Sequence, residues 1–181
     1  IKPENLFICE ADGEFVVINY RITGDYRAPF RIFPFVEETS QYKYEVVIKV
    51  RADIPETNYS SNVQIKLPVP KCTTGVAAEL QTGVVGHSTE FKASQKLLLW
   101  NIKKFQGGAE HTLRAKITLG SAASAGIRKE IGPVSINFET PMYNVSGLQV
   151  RYLRILEKQK FYNPYRWVRY VTQSNSYVCR V

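Results

Sequence analysis

Tyr42-Lys43-Tyr44-Glu45-Val46-Val47-Ile48-Lys49-Val50-Arg51 decides the fold class. Tyr44, Val46, Ile48 and Val50 fall on one face of an extended chain, with Lys43, Glu45 and Lys49 on the other. Successive side chains of a strand point to opposite sides of its sheet, so this period of two marks a strand buried on one face. The same pattern recurs downstream. Val63, Ile65, Leu67 and Val69 alternate with Gln64, Lys66 and Pro68. Leu113, Ala115, Ile117 and Leu119 alternate with Arg114, Lys116 and Thr118, and Val134, Ile136 and Phe138 repeat it. A helix needs apolar residues at i, i+3, i+4 and i+7, and no long window supplies them.

The breaks between these runs hold Gly24, Pro34, Pro55, Pro68, Pro70, Gly75, Gly83, Gly86, Gly107-Gly108, Gly120, Gly132-Pro133, Pro141 and Gly147. Proline cannot donate to a ladder and glycine supplies turns, so both end strands. The spacing predicts about eleven short strands in an all-β, antiparallel β-sandwich. Residues 120–126, rich in Gly, Ala and Ser, read as a loop, and Gly107-Gly108 as a tight turn.

The chain has 181 residues, one domain by length, with 24 Lys+Arg against 16 Asp+Glu and a net charge of +8. Its 44% hydrophobic and 22% charged residues exclude disorder for the bulk of it. No apolar run approaches the ~18 residues of a membrane helix. Glu4, Glu10, Asp12 and Glu14 argue against a secretory signal. Cys9, Cys72 and Cys179 are odd in number and form no C-x-x-C pair, which predicts free thiols rather than a disulfide framework or zinc site. The sequons at Asn58 and Asn144 matter only in a secreted protein. His87 and His111 lack metal-ligand spacing, and no nucleophile elbow, P-loop or dinucleotide fingerprint is present. A Ser-His-Asp set is defined in space and sequence order leaves it open, but the expectation is a non-enzyme without cofactor or metal.

Positive charge concentrates late, at Arg151, Arg154, Lys158, Lys160, Arg166, Arg169 and Arg180, among Tyr152, Phe161, Tyr162, Tyr165, Trp167 and Tyr170. Three readings fit this mixture: single-stranded nucleic acid, an anionic membrane surface, or a solvated sheet face. If residues 166–170 are a strand, alternation puts Trp167 and Arg169 on one face. An indole beside a guanidinium suits an aromatic ring with a hydroxyl, such as a peptide tyrosine. A core tryptophan with an arginine reaching over it is the competing reading.

A family resemblance runs the length of the chain. Asp12-Gly13-Glu14-Phe15, Asn19-Tyr20-Arg21, Pro29-Phe30-Arg31 and Leu67-Pro68-Val69-Pro70 resemble the medium (mu) chains of the clathrin-adaptor complexes. So do Leu99-Trp100-Asn101-Ile102-Lys103-Lys104, Ser146-Gly147-Leu148-Gln149-Val150-Arg151-Tyr152-Leu153 and Trp167-Val168-Arg169-Tyr170. Pro141-Met142-Tyr143-Asn144-Val145-Ser146 and Asn163-Pro164-Tyr165-Arg166 are most similar to the branch found in adaptor complex four.

The resemblance implies an elongated mu homology domain of two sandwich subdomains. It further implies that the domain binds Tyr-x-x-Φ sorting signals in the cytosolic tails of membrane cargo, alongside the other subunits of a heterotetrameric adaptor. Trp167 and Arg169 match the tyrosine pocket; Val168, Val150 and Leu153 match positions near the Φ pocket and peptide backbone. Simple alternation separates Val150 from Leu153, so both lining one pocket requires a bulge. Related chains also use basic patches on anionic lipid, which points to Arg151, Arg154, Lys158 and Lys160, and the resemblance disfavours nucleic acid. The implied location is cytoplasmic, peripheral on trans-Golgi, endosomal or coated-vesicle membranes. The family's tyrosine pocket also takes a Phe and an Asp from an early strand, about a hundred residues before the Asp-Gly-Glu-Phe segment. Residues 1–181 are therefore expected to be the C-terminal portion of the domain, without its first strands and with an unpaired sheet edge.

Overall fold

The computed structural model describes residues 13–81, 83, 85–155 and 164–181. Their strands are β1 (Phe30–Ser40), β2 (Lys43–Ala52), β3 (Tyr59–Pro68), β4 (Thr73–Leu80), β5 (His87–Lys92), β6 (Leu97–Gln106), β7 (Glu110–Leu119), β8 (Val134–Pro141) and β9 (Val171–Cys179). One helical turn, α1 (Ala125–Arg128), interrupts the last connection but one, with the Ser124 hydroxyl accepting from the Ile127 amide. The strands form two antiparallel sheets, ordered β1-β2-β7-β4 and β5-β6-β3-β8-β9, packed face to face.

The alternating residues are the ones that make this core. Tyr44, Val46, Ile48 and Val50 of β2 and Leu113, Ala115, Ile117 and Leu119 of β7 are buried from one sheet. Val63, Ile65 and Leu67 of β3, Trp100 and Ile102 of β6, and Val134, Ile136 and Phe138 of β8 meet them from the other. At about 25 cal/mol per Å² of apolar surface, this shared face dominates the stability of the sandwich. Gly107 and Gly108 make the β6–β7 turn, where Gly108 adopts a φ of 73°.

β1 lies at a sheet edge, and its backbone is protected there. Tyr177 Oη donates to the Phe30 carbonyl (2.8 Å), Cys179 Sγ to that of Ile32 (3.5 Å) and Arg128 Nη2 to that of Val36 (3.3 Å). Pro34, in the middle of the same edge, has no amide to offer. Strand addition at β1 is thereby blocked.

The spacing predicts about eleven strands and the resemblance implies two subdomains; the described residues hold nine strands, all in this one sandwich. Residues 13–29 and 142–155 carry no strand, although Phe15, Val16, Ile18, Val150 and Leu153 expose apolar surface there. The strand expected over residues 166–170 also begins later, at Val171. The reason lies in its partner. β8 pairs with β9 as far as Pro141↔Val171, and the Met142 amide adds a last rung to the Tyr170 carbonyl at 2.7 Å. Met142 then turns into left-handed backbone at φ 55°, carrying β8 away and leaving residues 164–169 without a ladder.

Candidate functional site

Beyond Met142 the chain folds into a turn held by side chains. Asn144 Oδ1 accepts from the Ser146 amide (3.0 Å), and the Asn144 carbonyl accepts from the Gly147 amide (3.2 Å). Thr172 Oγ1 donates to the Tyr143 carbonyl (2.7 Å) and accepts from the Val145 amide, pinning this turn against the start of β9. Asn144, read above as the start of a sequon, serves here as a turn former. The Val150 amide then donates to the phenol oxygen of Tyr170 at 2.9 Å. Tyr20, from the first described segment, shares a 2.6 Å hydrogen bond with the Ser146 hydroxyl.

The Val150–Tyr170 bond ties the segment bearing Val150 and Leu153 to the chain next to Trp167, Val168 and Arg169. All five side chains are exposed, Trp167 by 64%. The core reading of Trp167 is therefore wrong; the buried tryptophan is Trp100, 1% exposed. Arg169 Nη2 lies 3.4 Å from Glu139 Oε1 on β8, and its side chain stays 52% exposed. An exposed pair of this kind holds the guanidinium loosely, at about 0–1 kcal/mol, so an incoming acceptor can recruit it. Among the described residues the cation–π contact joins Lys104 to Tyr59 and does not involve Trp167. Arg151 and Arg154 are exposed on the neighbouring segment, while Lys158 and Lys160 lie outside the described residues.

Two side-chain clusters escaped the sequence reading. In the first, His87 of β5 and His111 of β7 meet edge to face across the two sheets, ring centroids 4.6 Å apart, against Trp100 and Phe105. Trp100 Nε1 donates to His87 Nδ1 at 3.3 Å, which selects the neutral tautomer protonated at Nε2. Burial, and then the neighbouring His111, push the His87 pKa down to about 4; burial also lowers that of His111. No group of three or more His, Cys, Asp or Glu is assembled among the described residues, so the pair lacks the company a metal would need.

The folded state therefore takes up these protons later than the unfolded chain does. Stability contributed by the neutral pair is complete above pH ~6.5 and is lost as pH falls from there towards about 4. Urea unfolding at pH 7 and pH 4.5 is expected to differ by about 1–2 kcal/mol on this account. His87→Asn should shrink that difference; an unchanged difference would exclude the pair as its source.

The second cluster surrounds Asp53, just past β2, whose side chain is 3% exposed. Arg31 binds it through two nitrogens, with Nη2–Oδ1 at 2.9 Å and Nε close to Oδ2. Arg51 and Arg27 approach Oδ1 at 3.4 and 3.6 Å. The hydrogen bond from Arg31 holds the Asp53 carboxyl below the usual carboxylate range.

Residues 2–181 match the Adaptor complexes medium subunit family. The chain is 49% identical over 180 residues to the AP-4 complex subunit mu of Arabidopsis thaliana, covering 99% of this chain and 40% of that one. It is 32% identical over 173 residues to the AP-2 complex subunit mu of Dictyostelium discoideum, covering 94% and 38%. It thus spans about two-fifths of the length of these relatives. Among solved structures, the zebrafish (Danio rerio) Fcho1 mu homology domain with bound Eps15 peptide aligns at TM-score 0.49 and 15% identity, over 82% of this chain and 44% of that one. With the family profile matched from residue 2 to residue 181, the chain belongs to the Adaptor complexes medium subunit family.

Proposed function

We propose that residues 1–181 are the C-terminal portion of a mu homology domain, from the mu chain of adaptor complex four, and bind Tyr-x-x-Φ sorting signals. The ligands are cytosolic tails of membrane cargo, and the setting is a heterotetrameric adaptor on trans-Golgi or endosomal membranes. One observation carries this reading beyond family membership. Residues 164–169 lead into β9 beyond the point where β8 turns away and join no ladder among the described residues, beside an exposed Trp167 and Arg169. That arrangement suits strand addition, in which backbone bonds hold the peptide and side-chain pockets select it. Trp167 offers an apolar wall for the tyrosine ring and Arg169 a donor for its hydroxyl. Val168, Val150 and Leu153 supply the apolar surface for Φ.

Calorimetric titration of a Tyr-x-x-Φ peptide into the intact domain tests this. Loss of a charge-assisted contact costs about 1.5–3 kcal/mol, so Arg169→Ala should weaken binding roughly 10- to 150-fold. Equal affinities for both proteins would remove Arg169 from the site.

A second reading rests on Arg151 and Arg154, exposed on the segment tied to Tyr170. With Lys158 and Lys160 they would hold the domain on anionic lipid, at about 1 kcal/mol per cation. Sedimentation with phosphoinositide vesicles that shows no lipid dependence at low salt would retire it.

A further inference from the structure

Among the described residues, charge on the outer face of the β1-β2-β7-β4 sheet is least balanced at one corner. Across most of it cations and carboxylates are paired: Lys49 with Glu110 (2.9 Å), Arg114 with Glu45 (3.1 Å) and Lys116 with Glu79 (2.8 Å). At the start of β1 the pairing fails. Arg31 faces Arg51 directly across the ladder, Arg27 arrives from the preceding segment, and Asp53 is the carboxylate they share; Glu110, opposite Arg51 on β7, has its carboxylate on Lys49. Arg31 already occupies both oxygens of that carboxylate. Arg51 and Arg27 stand at ion-pair distance with side chains 49% and 74% exposed, so their hydrogen-bond donors still point to solvent. Like charges opposed across a ladder are unfavourable, and the carboxylates of Asp53 and Glu110 do not neutralise Arg27, Arg31, Arg51 and Lys49.

Next to this corner, the following outward residues of β1 are Phe33 and Phe35, exposed by 40% and 65%. One strand therefore presents a cation, an aromatic ring and a second aromatic ring at two-residue steps, each about 6.6–6.8 Å long. We propose that this row docks an extended peptide bearing an acidic side chain followed, at two-residue steps, by two apolar ones. The acidic group meets the Arg27 and Arg51 guanidiniums, and the apolar side chains cover Phe33 and Phe35. The surplus positive charge selects the acid, and the spacing of the rings selects the register. The peptide lies on the face of the sheet, because the edge carbonyls of β1 are taken by Tyr177, Cys179 and Arg128. A lipid surface is the poorer match: it would press Glu37, Glu45 and Glu110 of the same flat face against anionic headgroups, whereas a peptide touches a single row. The surface is separate from the Trp167–Arg169 segment and does not depend on the reading given for it.

The test is an amide chemical-shift titration of the intact domain with acetyl-Ser-Glu-Ser-Leu-Ser-Leu-Ser-amide, which contains no tyrosine. Saturable shifts along β1, weakening as salt is raised, are the expected result. Phe35→Ser and Arg27→Ala alter exposed side chains and should leave the urea midpoint unchanged. They should weaken binding about fivefold and about threefold. Replacing the peptide glutamate by glutamine should weaken it comparably, and Arg169→Ala should leave it untouched. Absence of saturable shifts in β1, or full affinity in Phe35→Ser, overturns the proposal. Shifts at Phe33 and Phe35 with phosphatidylserine vesicles but not with the peptide would overturn it too, in favour of a membrane face.

Discussion

Gly107→Ala is expected to cost about 3–4 kcal/mol of unfolding free energy, a large share of the roughly 5–15 kcal/mol typical of a domain. Gly107 sits where β6 turns towards β7, against the link between β2 and β3. A methyl group there would run into the Pro55 carbonyl oxygen, and would lie 2.6 Å from the Pro55 carbonyl carbon and 2.8 Å from the Ile54 oxygen. These are backbone atoms, and neither side has room to give. The Gly107 amide donates to the Asn58 carbonyl (2.9 Å), the Gly108 amide to that of Ala52 (3.0 Å), and the Ala52 amide to that of Ala109 (3.0 Å). Relieving the clash breaks the bonds that tie the two connections together. Gly75→Ala is the control: nothing lies within 4 Å of its would-be methyl. Urea unfolding followed by tryptophan fluorescence should show a large drop in midpoint for Gly107→Ala and a small one for Gly75→Ala. Equal midpoints would show that the two connections do not meet as described.

Trp100→Ala is the second large effect, at about 3–5 kcal/mol. Trp100 is among the largest fully buried side chains and stands in β6 between Ile65 of β3 and Thr89 of β5. Truncation removes its transfer free energy and leaves a cavity that two laddered neighbours cannot close. It also deprives His87 Nδ1 of its donor, so the folded-state imidazole protonates more readily and the stability difference between pH 7 and pH 4.5 should shrink. Denaturation at pH 7, with Trp100→Phe as the milder comparison, separates the two contributions. A loss in Trp100→Ala no larger than in Trp100→Phe would mean the site collapses around the missing indole.

What the sequence made visible was the half-buried strands. Residues 42–51, 63–69, 113–119 and 134–138 alternate cleanly because one face meets the opposite sheet and the other meets water. β1 was harder to read, since Phe33 and Phe35 place apolar groups on its solvent side and Pro34 interrupts it. β9 is mostly polar and alternates weakly, having an edge position and little core to fill. The end of β8 was not legible at all: it depends on left-handed backbone at Met142, which nothing in the residue type demands. The Asp53 cluster and the histidine pair depend on which residues a ladder or a sheet-to-sheet contact brings together. Arg31 meets Arg51 through register, twenty residues of sequence being folded over a hairpin. Trp167 and Arg169 were paired by assuming a strand over residues 166–170, but β9 begins only at Val171, so their reading as a pocket leans on the family resemblance.

The reading of Trp167 and Arg169 as a tyrosine pocket turns on one pair of atoms, the peptide hydroxyl and the Arg169 guanidinium. A double-mutant cycle isolates that pair: Tyr-x-x-Φ and Phe-x-x-Φ peptides, each titrated into the wild-type intact domain and into Arg169→Ala. A coupling energy of about 1 kcal/mol or more is expected, with the tyrosine preference collapsing in the variant. A preference for tyrosine that survives Arg169→Ala within about 0.3–0.5 kcal/mol would contradict it.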